Sequence, residues 1–218
     1  MKTIISPSIL GGSFSNMEKT ISELDVSKAE YIHFDVMDGD FVPNLTFGAQ
    51  FISDLRLKTK KIFDVHLMIN RVGKFLDDYI QAGSNIITFH YEIDENINDI
   101  IERIKQEKIK AGIAIKPKTP WENIKNYLHS VDQVIIMTVE PGFGGQVFLN
   151  DQLEKIKNIS DYIKKNNLNV DIEIDGGVNY DTGKLGIDAG ANILVAGSFL
   201  FKQSDLTDAA NKLSDFFN

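Results

Sequence analysis

The sequence predicts a (β/α)8 barrel (an α/β TIM-barrel fold) in one domain spanning residues 1–218. Three observations carry that expectation. Strand-length apolar runs recur eight times, at residues 3–8, 31–36, 61–67, 85–90, 110–115, 133–139, 171–175 and 192–196. Amphipathic segments with helical spacing lie between them. The strongest glycine clusters come late, after the sixth, seventh and eighth runs, where such barrels place phosphate-binding turns. Spread over 218 residues, eight units take about 27 residues each, a compact barrel. An open doubly wound sheet would instead need G-x-G-x-x-G after the first strand. Gly11-Gly12 stands there without that continuation.

The elements follow in order. Ile97, Ile100, Ile101 and Ile104 share one face of the fourth helix, and Leu153, Ile156, Ile159 and Ile163 one face of the sixth. Ser13, Asn70, Asp94 and Asn179 stand where helices are expected to begin and serve as N-caps. Ala82-Gly83, Ala111-Gly112 and Ala189-Gly190 mark returns from helix to strand. No linker or low-complexity tract breaks the alternation.

Bulk properties narrow the function. The composition is 43% hydrophobic, enough for one filled core, and the net charge is -8. Without a long basic run, nucleic acid is not an expected partner. There are no cysteines, which excludes a disulfide scaffold and leaves His, Asp and Glu to hold any metal. No apolar run approaches membrane-spanning length and no signal-peptide pattern is present, so no membrane partner and a cytoplasmic location are expected.

In a barrel the active site lies at the C-terminal ends of the strands. Alternate strand residues share a face, so His33, Asp35 and Met37 point together, as do Asp64, His66 and Met68. Three of the four histidines fall at expected strand ends. His33, Asp35, His66 and Asp175 come from three strands and converge on one point, a plausible site for a divalent Zn, Fe(II) or Mn ion. The competing reading is a buried salt-bridge network closing the barrel mouth. His90 reads as a packing residue behind the site, and His129 as solvated. Lys116 reads as a partner for nearby carboxylates, with a Schiff-base nucleophile as the alternative. Glu173 points into the barrel and needs a partner. Asp38 reads as a turn residue. Met37, Met68 and Met137 form an apolar floor. Gly176-Gly177 and Gly197-Ser198 let backbone N–H groups approach an anion, and the short segment from Ser198 presents a helix start. Gly142–Gly145 reads as a flexible lid.

Taken together, Ser6-Pro7-Ser8-Ile9-Leu10, His33-Phe34-Asp35-Val36-Met37-Asp38-Gly39, Phe41-Val42-Pro43-Asn44, Asp64-Val65-His66-Leu67-Met68, Met137-Thr138-Val139-Glu140-Pro141-Gly142-Phe143-Gly144-Gly145-Gln146, Asp175-Gly176-Gly177 and Ala196-Gly197-Ser198 resemble the ribulose-phosphate 3-epimerase family. The resemblance runs from the first strand to the last. Two positions depart from the family pattern: Asp40 replaces a histidine, and Gly11-Gly12-Ser13-Phe14 replaces S-A-D-F. The resemblance implies a metal-dependent barrel enzyme that inverts C3 between D-ribulose 5-phosphate and D-xylulose 5-phosphate. It implies His33, Asp35, His66 and Asp175 as metal ligands, and Asp35 and Asp175 as acid and base. It implies substrate contacts from Ser8, His66, Gly142, Phe143, Gly144, Gly145, Asp175, Gly176, Gly177, Gly197 and Ser198. It further implies a phosphosugar substrate and a homo-oligomer, dimer or hexamer. The rival readings are a D-allulose-6-phosphate 3-epimerase of the same family, a Schiff-base aldolase using Lys116, and a non-catalytic phosphosugar-binding protein.

Overall fold

The computed structural model describes residues 2–218. Eight parallel strands form the expected barrel: β1 Ile4–Pro7, β2 Tyr31–Met37, β3 Ile62–Met68, β4 Ile86–His90, β5 Lys110–Ile115, β6 Gln133–Met137, β7 Asp171–Asp175 and β8 Ile193–Ala196. Their order around the sheet is β1-β8-β7-β6-β5-β4-β3-β2. A single parallel bridge between Ser8 and His33 joins the two ends and closes the barrel. Each apolar run therefore became a strand, two with the expected boundaries and the others with ends displaced by one or two residues.

The helices are α1 Met17–Asp25, α2 Ala49–Arg56, α3 Val72–Gln81, α4 Ile97–Gln106, α5 Gln152–Lys165, α6 Tyr180–Ala189, α7 Ser198–Phe201 and α8 Leu206–Phe217. One expected helix is replaced. Between β5 and β6 the chain makes only two 3-10 turns, Trp121–Ile124 and Tyr127–His129. Pro117 and Pro120 remove backbone donors there, and Asn123 and Asn126 are poor helix formers. The apolar face of Ile156, Ile159 and Ile163 consequently belongs to the fifth α-helix, not the sixth.

Several expected punctuation marks need correction. Ala111-Gly112 lies inside β5 and is no helix-to-strand return. Asn70 and Asp94 are not N-caps; Arg71 and Asn96 hold those places, and the Asn96 side chain accepts from Asn98 N–H. Ser13 precedes a 3-10 turn, and its hydroxyl meets Ser15 Oγ in place of a backbone N–H. Asn179 does cap α6, in a reciprocal box with Thr182. Gly190 ends that helix at φ 118°, a conformation that disfavours side chains.

The alternation of each strand divides two cores. Outward residues such as Ile32, Phe34, Phe63, Val65, Ile87 and Phe89 are buried against the helices. Inward residues fill the barrel in layers. The bottom layer is apolar, with Tyr31, Ile86 and Ile193. The middle layer is polar: His33, Asp64, Thr88, Gln133 and Glu173 are all fully buried. Hydrogen bonds tie this layer across the barrel, from Gln133 Nε2 to Asp64 Oδ1 (3.2 Å) and to Glu173 Oε2. Such a layer holds only if its members pair, because an unpaired buried polar group costs free energy.

Gly112 gives the layer its room. A Cβ at this position would stand 2.1 Å from Thr88 Oγ1, on a β-branched side chain that is buried and stiff. Gly112→Ala is expected to lower unfolding free energy by roughly 1–3 kcal/mol, measured by denaturant titration. A variant as stable as the parent would show that the middle layer is not tightly packed.

Candidate active site

The polar layer supports a second, functional layer directly above it. Register places Asp35 opposite His66 and Met37 opposite Met68 on β2 and β3, while Met137 lies opposite Asp175 on β6 and β7. His33 Nε2 stands 3.4 Å from Asp35 Oδ1 and 4.0 Å from Asp175 Oδ2. His66 Nδ1 stands 3.5 Å from each of the same two oxygens. One donor atom from each of the four residues thus falls within 4.8 Å of every other.

This arrangement fits a divalent cation. Buried His33 Nε2 and His66 Nδ1 have no hydrogen-bond partner. Ligand atoms about 2.0–2.2 Å from a tetrahedral ion stand about 3.3–3.6 Å apart, close to the separations observed. The opposite ring nitrogen of each histidine is held from behind. His33 Nδ1 lies 2.8 Å from Asp64 Oδ2 and 3.2 Å from Glu173 Oε1. His66 Nε2 lies 3.0 Å from His90 Nε2. Carboxylate-backed imidazoles are the usual setting for metal-binding histidines.

The electrostatics match. Burial opposes charge on His33, but Asp35 and Asp64 outweigh it and hold the imidazole well above its ordinary range. Burial likewise opposes charge on His66, and Asp175 and Asp35 overcome it. Burial would raise Asp35, yet His33 and His66 hold its carboxyl well below the usual carboxylate range. The point between these groups therefore attracts positive charge. Burial and neighbouring Asp64 push Glu173 well above the ordinary carboxylate range. Gln133 is the hydrogen-bond partner of Glu173, through Oε2, while Oε1 lies 3.2 Å from His33 Nδ1 without a hydrogen bond.

A cleft opens to solvent above this point. The structure brings to its walls Ser8, Asp35, Asp175, the three methionines Met37, Met68 and Met137, the loop Gly142, Phe143, Gly144 and Gly145, and the two turns Gly176-Gly177 and Gly197-Ser198. His33 and His66 lie beneath the lining, fully buried. Ser8 Oγ donates to Asp35 Oδ2 at 2.5 Å. Asp35 is further fixed by Thr46, whose hydroxyl donates to the Asp35 carbonyl (2.8 Å) and accepts from Met37 N–H (2.9 Å).

The glycine turns occupy places that side chains would fill. Gly177 has φ 67°, and a Cβ there would stand 2.7 Å from the Phe148 backbone nitrogen. Gly11 also lines the cleft, at one of the departures from the family pattern; its Cβ would stand 2.9 Å from the Gly197 carbonyl carbon. The Gly142–Gly145 loop is tethered at both sides. Asn44 Nδ2 donates to the Gly142 carbonyl at 2.7 Å, and Gln146 Nε2 donates to the carbonyls of Glu140 and Phe143 at 2.7 and 2.8 Å.

Profile and sequence comparisons agree with this arrangement. The profile described as the Ribulose-phosphate 3 epimerase family matches residues 4–201. The chain belongs to the ribulose-phosphate 3-epimerase family. It is 40% identical over 210 residues to the ribulose-phosphate 3-epimerase of Bacillus subtilis, covering 96% of this chain and 97% of that one. It is 42% identical over 198 residues to that of Rhodobacter capsulatus, covering 91% and 86%. Among solved structures, KGPDC from Streptococcus mutans aligns over 100% of this chain and 98% of its own with a TM-score of 0.72. At 15% identity that likeness speaks for the barrel alone.

Lys116 is not paired with a carboxylate as expected from sequence; its Nζ lies 3.7 Å over the Phe41 ring and outside the cleft lining. Asp38 is a turn residue as read: Oδ1 accepts from Asp40 and Phe41 N–H, and Oδ2 from Asn70 N–H. His129 lies far from the cleft walls, against the Tyr162 hydroxyl at 3.0 Å. Burial pushes His90 down to about 4 against the pull of Glu92, which keeps it a neutral imidazole. Sequence reasoning missed Leu10, Gly11, Val139, Pro141, Gln146, Val178 and Val195 in the cleft walls. Leu10, Val139, Pro141 and Gln146 stand inside the motifs quoted above, and all seven but Gln146 are apolar or small, so little in their chemistry singled them out.

Proposed function

We propose that this chain is a metal-dependent ribulose-phosphate 3-epimerase that interconverts D-ribulose 5-phosphate and D-xylulose 5-phosphate. The observation that carries the reading is the pair Asp35 and Asp175, reaching from β2 and β7 to one buried point beside two imidazoles. His33, Asp35, His66 and Asp175 would hold one divalent ion, a zinc, iron(II) or manganese. When bound, that ion supplies positive charge where the C3 proton of the ketose leaves and negative charge develops on the neighbouring oxygens.

The protein supplies the rest. The phosphate is bound by backbone N–H groups of Gly176-Gly177 and Gly197-Ser198, with Gly142–Gly145 covering the sugar. This sets the sugar's reacting carbon between the two carboxylates. Asp35 and Asp175 begin a turnover with one proton between them. The ionised one removes the C3 proton from one face, giving a planar enediolate; the protonated one returns a proton to the other face. Asp35 Oδ2, held by Ser8 Oγ, is its proton-carrying oxygen, because Oδ1 is turned toward the imidazoles. Met37, Met68 and Met137 give the planar intermediate an apolar seat and keep water from protonating it.

A coupled assay with five- and six-carbon ketose phosphates tests the substrate. D-ribulose 5-phosphate is expected to turn over with the higher kcat/KM, and a preference for D-allulose 6-phosphate would reassign the enzyme within its family. Asp35→Asn and Asp175→Asn are each expected to lower kcat by about 100- to 10,000-fold, because each removes one proton carrier. Each single variant should still exchange the C3 hydrogen of one epimer for solvent deuterium. Substantial epimerisation by either would rule out the two-carboxylate mechanism.

A further inference from the structure

The ring nitrogen of His66 that faces away from the site decides what the facing nitrogen offers. His66 Nε2 and His90 Nε2 are 3.0 Å apart, and both residues are fully buried. Two bare nitrogens repel at that distance and two N–H groups clash, so one proton lies between them. A cation at the site requires neutral imidazoles, and each of these carries a single proton. If that proton sits on His66 Nε2, its Nδ1 is a bare lone pair aimed at Asp35 Oδ1 and Asp175 Oδ2. If it sits on His90 Nε2, His66 Nδ1 carries an N–H and cannot ligate.

Glu92 makes the choice. Its Oε1 accepts from Lys116 N–H at 2.8 Å and from the Thr119 hydroxyl. Its Oε2 lies 3.1 Å from His90 Nδ1. A carboxylate only accepts, so His90 Nδ1 carries the proton and His90 Nε2 is bare. His66 Nε2 then donates to it, and His66 Nδ1 is left free. The His66 and His90 rings meet edge to edge, 24° from parallel with centroids 5.0 Å apart, Phe41 packs on His90 at 4.8 Å, and Lys116 Nζ lies over Phe41.

We infer that Glu92 and His90 are positioning residues that fix the tautomer of His66 and thereby decide whether β3 contributes a metal ligand. The inference rests on the reading of the four-atom point as a cation site. Neither residue lines the cleft, so neither meets the substrate.

Glu92→Gln reverses the relay without changing its shape. The amide oxygen must face the Lys116 N–H, which leaves the amide NH2 facing His90 Nδ1. His90 then carries its proton on Nε2, and His66 is driven to the Nδ1–H form. Zinc titration with a competing chelating dye is expected to show affinity weakened about 10- to 100-fold. Imidazole 15N spectra of the zinc-loaded parent are expected to show His66 protonated on Nε2, and His90 bare on Nε2 and protonated on Nδ1. A Glu92→Gln protein that binds zinc within twofold of the parent overturns the inference and leaves the cation site standing. Should the variant not fold, the parent spectrum decides: a proton on His90 Nε2 in the loaded protein overturns it equally. A parent that binds no zinc removes the cation site and this inference together.

Discussion

Two imidazole lone pairs and two carboxylates meet at one buried point, and much of the barrel interior is arranged to make that tolerable. In isolation the arrangement is unfavourable. His33 Nε2 and His66 Nδ1 lack hydrogen-bond partners, and Asp35 is nearly fully buried. Charge buried without compensation is costly, so such a cluster persists only where positive charge completes it. Protons on the imidazoles or a cation between the four atoms both satisfy that demand, and the spacing suits a cation.

The layers beneath follow from this constraint. Barrels are commonly filled with branched apolar side chains. Here the middle layer is instead Asp64, Thr88, Gln133 and Glu173 around the base of His33. Asp64 orients His33, and Gln133 bridges Asp64 and Glu173. On the other side, His90 and Glu92 do the corresponding work for His66. The barrel therefore encloses a polar wedge that supports the site from below. The cleft above it is lined by methionines and glycine turns.

The fold was largely legible because strand periodicity and late glycines are local signals. Eight apolar runs became eight strands, and His33, Asp35, His66 and Asp175 met at one point because period-two alternation turns them all into the barrel, with His33 reaching up from the layer below. What failed depended on context. Asn70 and Asp94 have the chemistry of N-caps, but neighbouring residues took those positions. Gly112 reads as a helix terminator in isolation, whereas in the barrel it makes room for Thr88. The prolines between β5 and β6 carried a signal that the expected regular alternation overrode. The role of Glu92 was illegible for another reason. It depends on a hydrogen-bond chain through His90 and on two donors from the turn after β5, and no spacing in the sequence encodes that direction.

The central claim is that four residues on three strands form a single cation site. Zinc content per chain, after exhaustive chelation and add-back of one to two equivalents, tests it most directly. The account predicts one tightly held zinc per chain in the parent protein and its loss in His33→Ala. A parent protein that retains no zinc, or a folded His33→Ala variant that holds a full equivalent as tightly, would contradict it.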